Sequence, residues 1–432
     1  MRKSMGILKN DKLIVGYDLG NRFSQISYAL SADGEAETLS QVAGAQMYNV
    51  PTVLCKRTGV NQWFYGREAL RNAAEEQGIL VENLVQLALD GEPILIEEDS
   101  YDPVSLLTLF FKRSLGMLSQ AGTSEKLGAL MITCEQLDHR MIQLLNEVLE
   151  GLRLKTEKIC FQSHTESFFH YMIRQPGELR TARAMLYDYR EDRIRIYAMD
   201  CNRRTTPIVA YIEESEADFP VWYTEGGDAQ MLSEAYRQAL DRAFLRLAEI
   251  SFDSRAVSSV YLIGDGFSEE WMKGSLRFLC RGRRVFQGNN LFSKGACYGM
   301  QERIHVSQTG REYLFLGNDK LKANVGMDVM RQGEASYLAL LDAGVNWYEA
   351  DQITEFYLQE GNQIDLKITP LIGKNIRTAR ITLENLPPGI SRIRARLYLE
   401  AENRLAVEIE DLGLGELRLP SGKSWRETIE LY

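Results

Sequence analysis

Histidine is scarce in this sequence: four occur in 432 residues, with no HxxxH or HExxH spacing to seat a catalytic metal. Cysteine is also sparse. Cys55, Cys134, Cys160, Cys201, Cys280 and Cys297 lie far apart with no CxxC, so neither a zinc site nor a disulfide framework is encoded. Most of them sit inside apolar runs, where a reduced thiol behaves as a small hydrophobe. No apolar run approaches the ~20 residues that span a bilayer. The basic start Met1-Arg2-Lys3 leads into polar Lys9-Asn10-Asp11-Lys12, where a signal peptide needs its apolar stretch. A basic surplus is missing as well: 50 Lys and Arg face 60 Asp and Glu, a net charge of −10. Phosphate backbones and anionic lipids are bound through clustered cations, so neither nucleic acid nor membrane is expected as a partner. A cytoplasmic protein is the expectation.

What is present is ordinary for a folded chain: 45% hydrophobic and 25% charged residues. At about 150 residues per domain, two to four units are expected. Residues 13–18 read as an apolar strand ending in Asp18, Gly20-Asn21 as a turn, and residues 24–29 as a second strand. Helical spacing runs over 102–118 and 136–152, with a buried strand at 127–133 between them and Gly151 placed as a terminator. Residues 184–188 repeat the motif of an apolar strand ending in acid, here Asp188, and 193–199 alternate beside it. The longest apolar stripe predicts a helix over 228–249. Val260 to Ile263 leads into Gly264-Asp265-Gly266. Strands and helices alternate through residue 304, the pattern of an α/β domain. After His305 only short strands and turns follow, at 313–316, 337–341, 364–368, 379–383, 393–399 and 404–410. They predict a β-sandwich over 305–432.

Strands ending in acids before turns, plus one ending in Gly-Asp-Gly, suggest a cleft between two related lobes. Turn amides there can hold phosphate oxygens, and an acid can position a metal-bound water. The segments Val15-Gly16-Tyr17-Asp18-Leu19-Gly20-Asn21-Arg22, Asn49-Val50-Pro51-Thr52, Phe64-Tyr65-Gly66-Arg67-Glu68-Ala69, Met131-Ile132-Thr133-Cys134, Met185-Leu186-Tyr187-Asp188, Leu262-Ile263-Gly264-Asp265-Gly266 and Lys294-Gly295-Ala296 occur in a telling order. That order resembles the actin-like ATPase superfold and, more closely, the 70-kDa heat-shock chaperone (DnaK-like) family. In the tail, Leu386-Pro387-Pro388-Gly389 and Glu402-Asn403-Arg404-Leu405 are similar to that family's peptide-binding sandwich. The resemblance implies a two-lobed α/β nucleotide-binding domain over 1–304, with lobes of about 1–180 and 181–304, and a sandwich over 305–432 that binds a peptide or protein. It implies ATP or ADP with Mg²⁺ as cofactor, contacted by Asp18, Gly20, Asn21, Arg22, Asp188, Gly264, Asp265 and Gly266. Asp18 and Asp188 would hold the metal through water. The family's helical lid has no counterpart before Tyr432.

Departures from the family bear on the chemistry. Arg190, Glu191 and Asp192 stand where the second phosphate loop has glycines, and the two acids are expected to repel a triphosphate. Leu70 occupies the place of the catalytic lysine, with Arg71 one residue late. At most weak ATPase activity is expected, in a divergent chaperone-like protein. A nucleotide-free scaffold and a small-molecule kinase of the same superfold stay open beside it. Asp18 and Asp188 are alternatively turn caps, and Arg22 a solvated surface residue. His164 is either the partner of Glu166 in an acid/base pair or a hydrogen-bonded structural residue. Trp347 and Tyr348 face a peptide or pack the sandwich. Lys320-Leu321-Lys322 and residues 392–396 carry positive charge on faces that either meet solvent or dock an acidic partner.

Overall fold

The structure is a computed structural model that describes residues 12–42, 44–121, 126–221, 233–267, 270–371 and 376–432. It divides into two compact units, residues 1–315 and 316–432.

In the first unit, β1 (Lys12–Asp18), β2 (Phe23–Ala29) and β3 (Glu37–Thr38) form an antiparallel meander, and β4 (Val50–Pro51) pairs with β2. The chain then builds a small sheet of β5 (Leu54–Arg57), β6 (Trp63–Tyr65) and β7 (Gly78–Val81) around α1 (Gly66–Ala74). α2 (Leu84–Asp90), the hairpin of β8 (Ile94–Ile96) and β9 (Asp99–Tyr101), and α3 (Pro103–Leu115) follow. β10 (Lys126–Cys134) returns parallel to β1. α4 (His139–Leu152) leads to β11 (Lys158–Ser163), parallel to β10, and α5 (His164–Arg174) leaves the sheet. The strand order is β11-β10-β1-β2-β3.

The second half of this unit repeats that plan. β12 (Arg183–Arg190), β13 (Arg193–Asn202) and β14 (Ile208–Asp218) form a meander. After α6 (Glu234–Phe252), β15 (Val257–Ile263) joins parallel to β12. α7 (Gly274–Leu279) precedes β16 (Arg284–Gln287), which is parallel to β15. The order β16-β15-β12-β13-β14 matches the first sheet in sequence and direction, so Asp18 and Asp188 lie on corresponding strands. α8 (Leu291–Ile304) packs on the first sheet through Ala296, Cys297 and Met300 and on the second through Leu291 and Phe292. A short α9 (Gln308–Glu312) precedes β17 (Tyr313–Phe315), which adds to the second sheet parallel to β14. That last strand moves the boundary. Residues 313–316 were expected in the C-terminal domain after residue 304, yet β17 completes the edge of the first unit's sheet.

Capping fixes several element ends. Asp138 accepts from the Met141 amide at 2.8 Å and starts α4 later than the expected residue 136. Gly151 does not stop α4; the chain turns at Arg153, in the left-handed region at φ +48°. α6 begins at Glu234 behind Ser233, and residues 228–232 of the expected helix lie outside the described residues.

The second unit is all-β among the described residues, apart from short 3₁₀ turns. β18 (Ala323–Arg331), β19 (Glu334–Leu341), β21 (Gln363–Pro370) and β22 (Arg377–Thr382) form one antiparallel sheet, in the order β19-β18-β21-β22. β20 (Asp351–Leu358), β23 (Ser391–Ala401), β24 (Arg404–Asp411) and β25 (Ser424–Glu430) form the other, in the order β20-β23-β24-β25. Alternation sorts β23: Ile393, Ala395, Leu397 and Leu399 are buried, while Arg392, Arg394 and Arg396 face out. Those arginines carry no unmet positive charge. Glu355 takes Arg392 and Arg394, Asp351 takes both ends of Arg396 at 3.0 and 2.8 Å, and Glu410 and Glu408 lie 3.7 and 3.9 Å from Arg394 and Arg396. Lys320 is buried and donates to Asn346 Oδ1 at 2.6 Å, and Trp347 is a core residue. Of the two readings of these charges, solvent or an acidic partner, the arginine face is matched by the chain's own carboxylates and Lys320 is buried, while Lys322 is half-buried.

Candidate functional site

β1 and β12 both carry a buried acid near the C-terminal end of their sheet. Asp18 lies beside Thr133 of β10, and Asp188 beside Ile263 of β15. The strand ends open on a cleft of about 450 Å³. Seven of the eight residues expected to contact nucleotide line it: Asp18, Gly20, Asn21, Arg22, Asp188, Gly264 and Asp265. Gly266 does not. A Cβ there would stand 2.2 Å from the Tyr189 ring, and its carbonyl accepts from Trp271 Nε1 at 2.8 Å, so its smallness serves packing. Gly264 is needed at the cleft itself. Its φ is +92°, and a Cβ would lie 2.3 Å from the Tyr189 carbonyl oxygen and 2.8 Å from Asp188 Oδ1. Leu70 is 39% exposed on α1. Neither it nor Arg71 lines the cleft.

Each acid at the cleft floor already has a partner. Asp18 Oδ1 accepts from His164 Nε2 at 2.8 Å, with both side chains buried. An ionised Asp18 requires the imidazole proton on that nitrogen. His164 is placed by Ser163, which caps α5, and by Phe292 of α8, whose ring stacks on the imidazole at 3.9 Å and 7°. Of the two readings of His164, the acid/base pair with Glu166 is not formed: Glu166 turns toward His170 Nε2 at 3.7 Å, one helical turn on. Asp188 accepts from Arg190 Nε at 2.9 Å. Burial alone would lower the Arg190 pKa, but Asp188 and Asp18 outweigh it and hold the guanidinium above its ordinary value. Asn49 Nδ2 donates to Asp265 Oδ1 at 3.1 Å. Burial, reinforced by Asp188, raises the Asp265 pKa against the pull of Arg190, Arg22 and Asn49.

The β12–β13 turn corrects one expectation. Glu191 turns the hairpin at φ +54° and pairs with Arg22 at 2.8 Å, and Asp192 meets Arg193 at 3.3 Å. The two acids expected to repel an anion are thus each matched by an arginine. The residue that replaces open glycine backbone at the cleft is Arg190. Arg193 and Arg195 also line the cleft, with Arg195 held by Glu135 and by Glu216 at 3.0 Å. Their spacing of two in a strand places both on one face, a signal already present in the alternation of 193–199. The pairing of His164 with Asp18, 146 positions apart, had no such signal.

Residues 35–318 match a family described as "Family of unknown function (DUF5716) C-terminal". The chain belongs to that family. The DUF5716 match covers the cleft from Asn49 to Asn289 and leaves out β1 with Asp18, the turn after it and β2. Residues 320–431 match a "Domain of unknown function (DUF8552)", so the junction of the two matches falls just past the division after Phe315. A comparison with curated proteins found no match.

Proposed function

We propose that the chain is a divergent relative of the 70-kDa heat-shock chaperones. Its actin-like domain holds ATP or ADP weakly and without efficient turnover, and its β-sandwich engages a protein or peptide. Two sheets of equal strand order, meeting at a cleft lined by the expected phosphate-loop residues, support the actin-like reading. The carrying observation is that Asp18 and Asp188 are both committed, one to His164 and the other to Arg190. A Mg²⁺ ion is usually held by one or two carboxylates together with substrate phosphates, and here one carboxylate already serves an imidazole and the other a guanidinium. No group of three or more His, Cys, Asp or Glu side chains converges for a metal among the described residues. The metal therefore does not fit this cleft as it stands, and no step is routed through it. Without its positioned charges, phosphoryl transfer slows by about 10² to 10⁵.

The full chain with ATP and Mg²⁺ should release phosphate no faster than buffer, read by a coupled phosphate assay. Mg²⁺-dependent release that Asp18→Asn abolishes would sink this reading. The ion pair between Arg22 and Glu191, which ties the β1–β2 turn to the β12–β13 turn, favours one alternative, a nucleotide-free scaffold. Calorimetry that detects no binding at millimolar nucleotide selects that alternative. For the partner, among the described residues β22 and β25 each pair with a strand on one side only, which suits strand addition by an extended peptide.

A further inference from the structure

We propose that Arg190 is a built-in cation standing where a divalent metal would otherwise serve, so that the cleft takes phosphoryl oxyanions without any metal. This rests on the reading of the cleft as a nucleotide site and names how that site recognises its ligand.

Four observations converge on Arg190. Its Nε is anchored 2.9 Å from Asp188, which is itself almost fully buried. The side chain nevertheless keeps 41% of its surface exposed, and it lines the 450 Å³ cleft. Its two terminal nitrogens have no hydrogen-bond partner among the described residues. Finally, Nη1 lies 3.9 Å from where a Cβ on Gly20 would stand, so the guanidinium of the second sheet reaches the turn of the first. An arginine held at Nε by a carboxylate behind it presents its other N–H groups as a fork. That geometry matches a phosphate or carboxylate bidentately. Anchoring removes part of the rotamer entropy that a free side chain would lose on binding.

The surrounding charges do not cancel this fork. Of the other acids lining the cleft, Glu191 is drawn to Arg22, Glu135 to Arg195, and Asp138 is spent capping α4. Asp18 is hydrogen-bonded to His164, and Asp265 has its charge disfavoured by burial. A Mg²⁺ ion, by contrast, would have to displace the guanidinium from Asp188. It would also arrive bound to the same phosphate oxygens that Arg190 is oriented to receive.

The test is calorimetric titration of the full chain with ADP and, separately, with inorganic pyrophosphate, in excess EDTA and again in excess Mg²⁺. Both ligands should bind in EDTA, and Mg²⁺ should not tighten either. Equal affinities would mean that the oxyanion alone is read; tighter ADP would mean that the nucleoside adds contacts. Arg190→Ala should weaken both ligands about tenfold to a hundredfold. Arg190→Lys keeps the charge but not the fork, and should fall between. Thermal melts without ligand check that the variants fold; should Arg190→Ala unfold, the Lys variant still reads the fork. Binding that appears only with Mg²⁺, variants that bind like the parent, or no binding of either ligand would each overturn the proposal. Metal-dependent binding without turnover would overturn it and leave the non-hydrolysing reading intact. Hydrolysis by the parent chain would do the reverse.

Discussion

Gly295→Ala should lower the melting midpoint of the N-terminal unit by about 6 °C or more, at roughly 3 kcal/mol and 2 °C per kcal/mol. In an exposed helix the same change would stabilise by about 1 kcal/mol, because alanine is the better helix former. Here the added carbon would stand 2.0 Å from the Ser167 carbonyl oxygen, 2.6 Å from its carbon and 3.0 Å from its Cα. All three are backbone atoms of α5, so no side chain can turn aside, and the helices must part. α8 has little freedom to yield. A Cβ on Gly16 of β1 would meet its backbone at 2.2 Å, so that strand lies hard against its other side. The steric term therefore wins over propensity. The cleft should feel the change too, since His164 sits one turn before Ser167 on α5 and stacks on Phe292 of α8. Gly116→Ala is the control: nothing lies within 4 Å of its Cβ and its φ is −59°. It should melt within a degree or so of the parent. Equal midpoints for the two variants, by circular dichroism, would refute the close α5–α8 crossing.

The parts of this molecule legible in its sequence are those with a short-range period. Alternation located β2, β13 and β23, and short apolar runs located β1 and β12, whose ends were readable because the apolar residues stop abruptly at a carboxylate. What sequence could not carry was partnership. Tyr313–Phe315 reads as one more short strand of the β region, but three apolar residues do not say which edge they will join, and β14 takes them. β20 was missed because an edge strand with mostly exposed side chains has no apolar alternation to detect, and β25 for the same reason. At the cleft, Arg190 was read as an obstruction in a glycine loop. Its pairing with Asp188 needs only that both stay on β12, where residues two apart share a face; what the hairpin adds is Arg195 opposite Asp188 and Arg193 opposite Arg190. Likewise the arginines of β23 looked like a basic face until β20 came alongside with Asp351 and Glu355. Charge patterns in one strand are half of a cross-strand statement.

Asp411→Ala should cost the C-terminal unit about 3–5 kcal/mol, the range for removing one partner of a buried ion pair. The carboxylate has no side-chain exposure, and it closes the loop between β24 and β25 from inside. Oδ1 accepts from Arg418 Nη2 at 2.8 Å and from the Gly413 amide at 3.0 Å, and Oδ2 accepts from the Ser421 amide at 3.1 Å. Alanine would leave the Gly413 and Ser421 amides without their acceptor, and a guanidinium only 22% exposed with Ser391 Oγ at 2.9 Å but no counter-charge. Hydrogen exchange of peptides from residues 391–430 in the full chain should accelerate about a hundredfold or more. Asp365→Ala is the contrast, because its pair with Arg380 is about half exposed and should be worth no more than about 1 kcal/mol. Acid supplies a second reading of the same pair. Burial pushes the Asp411 pKa up, but the bonds from Ser421, Gly413 and Arg418 outweigh it and hold it below the usual carboxylate range. A depressed pKa means that the stabilisation is complete above the unfolded value of about 3.9, and is lost as pH falls through the lower folded value. The gap between parent and Asp411→Ala in urea melts should therefore be widest at neutral pH and narrow below about pH 4. A gap that stays constant into acid would mean that packing around the side chain, not its charge, holds the loop.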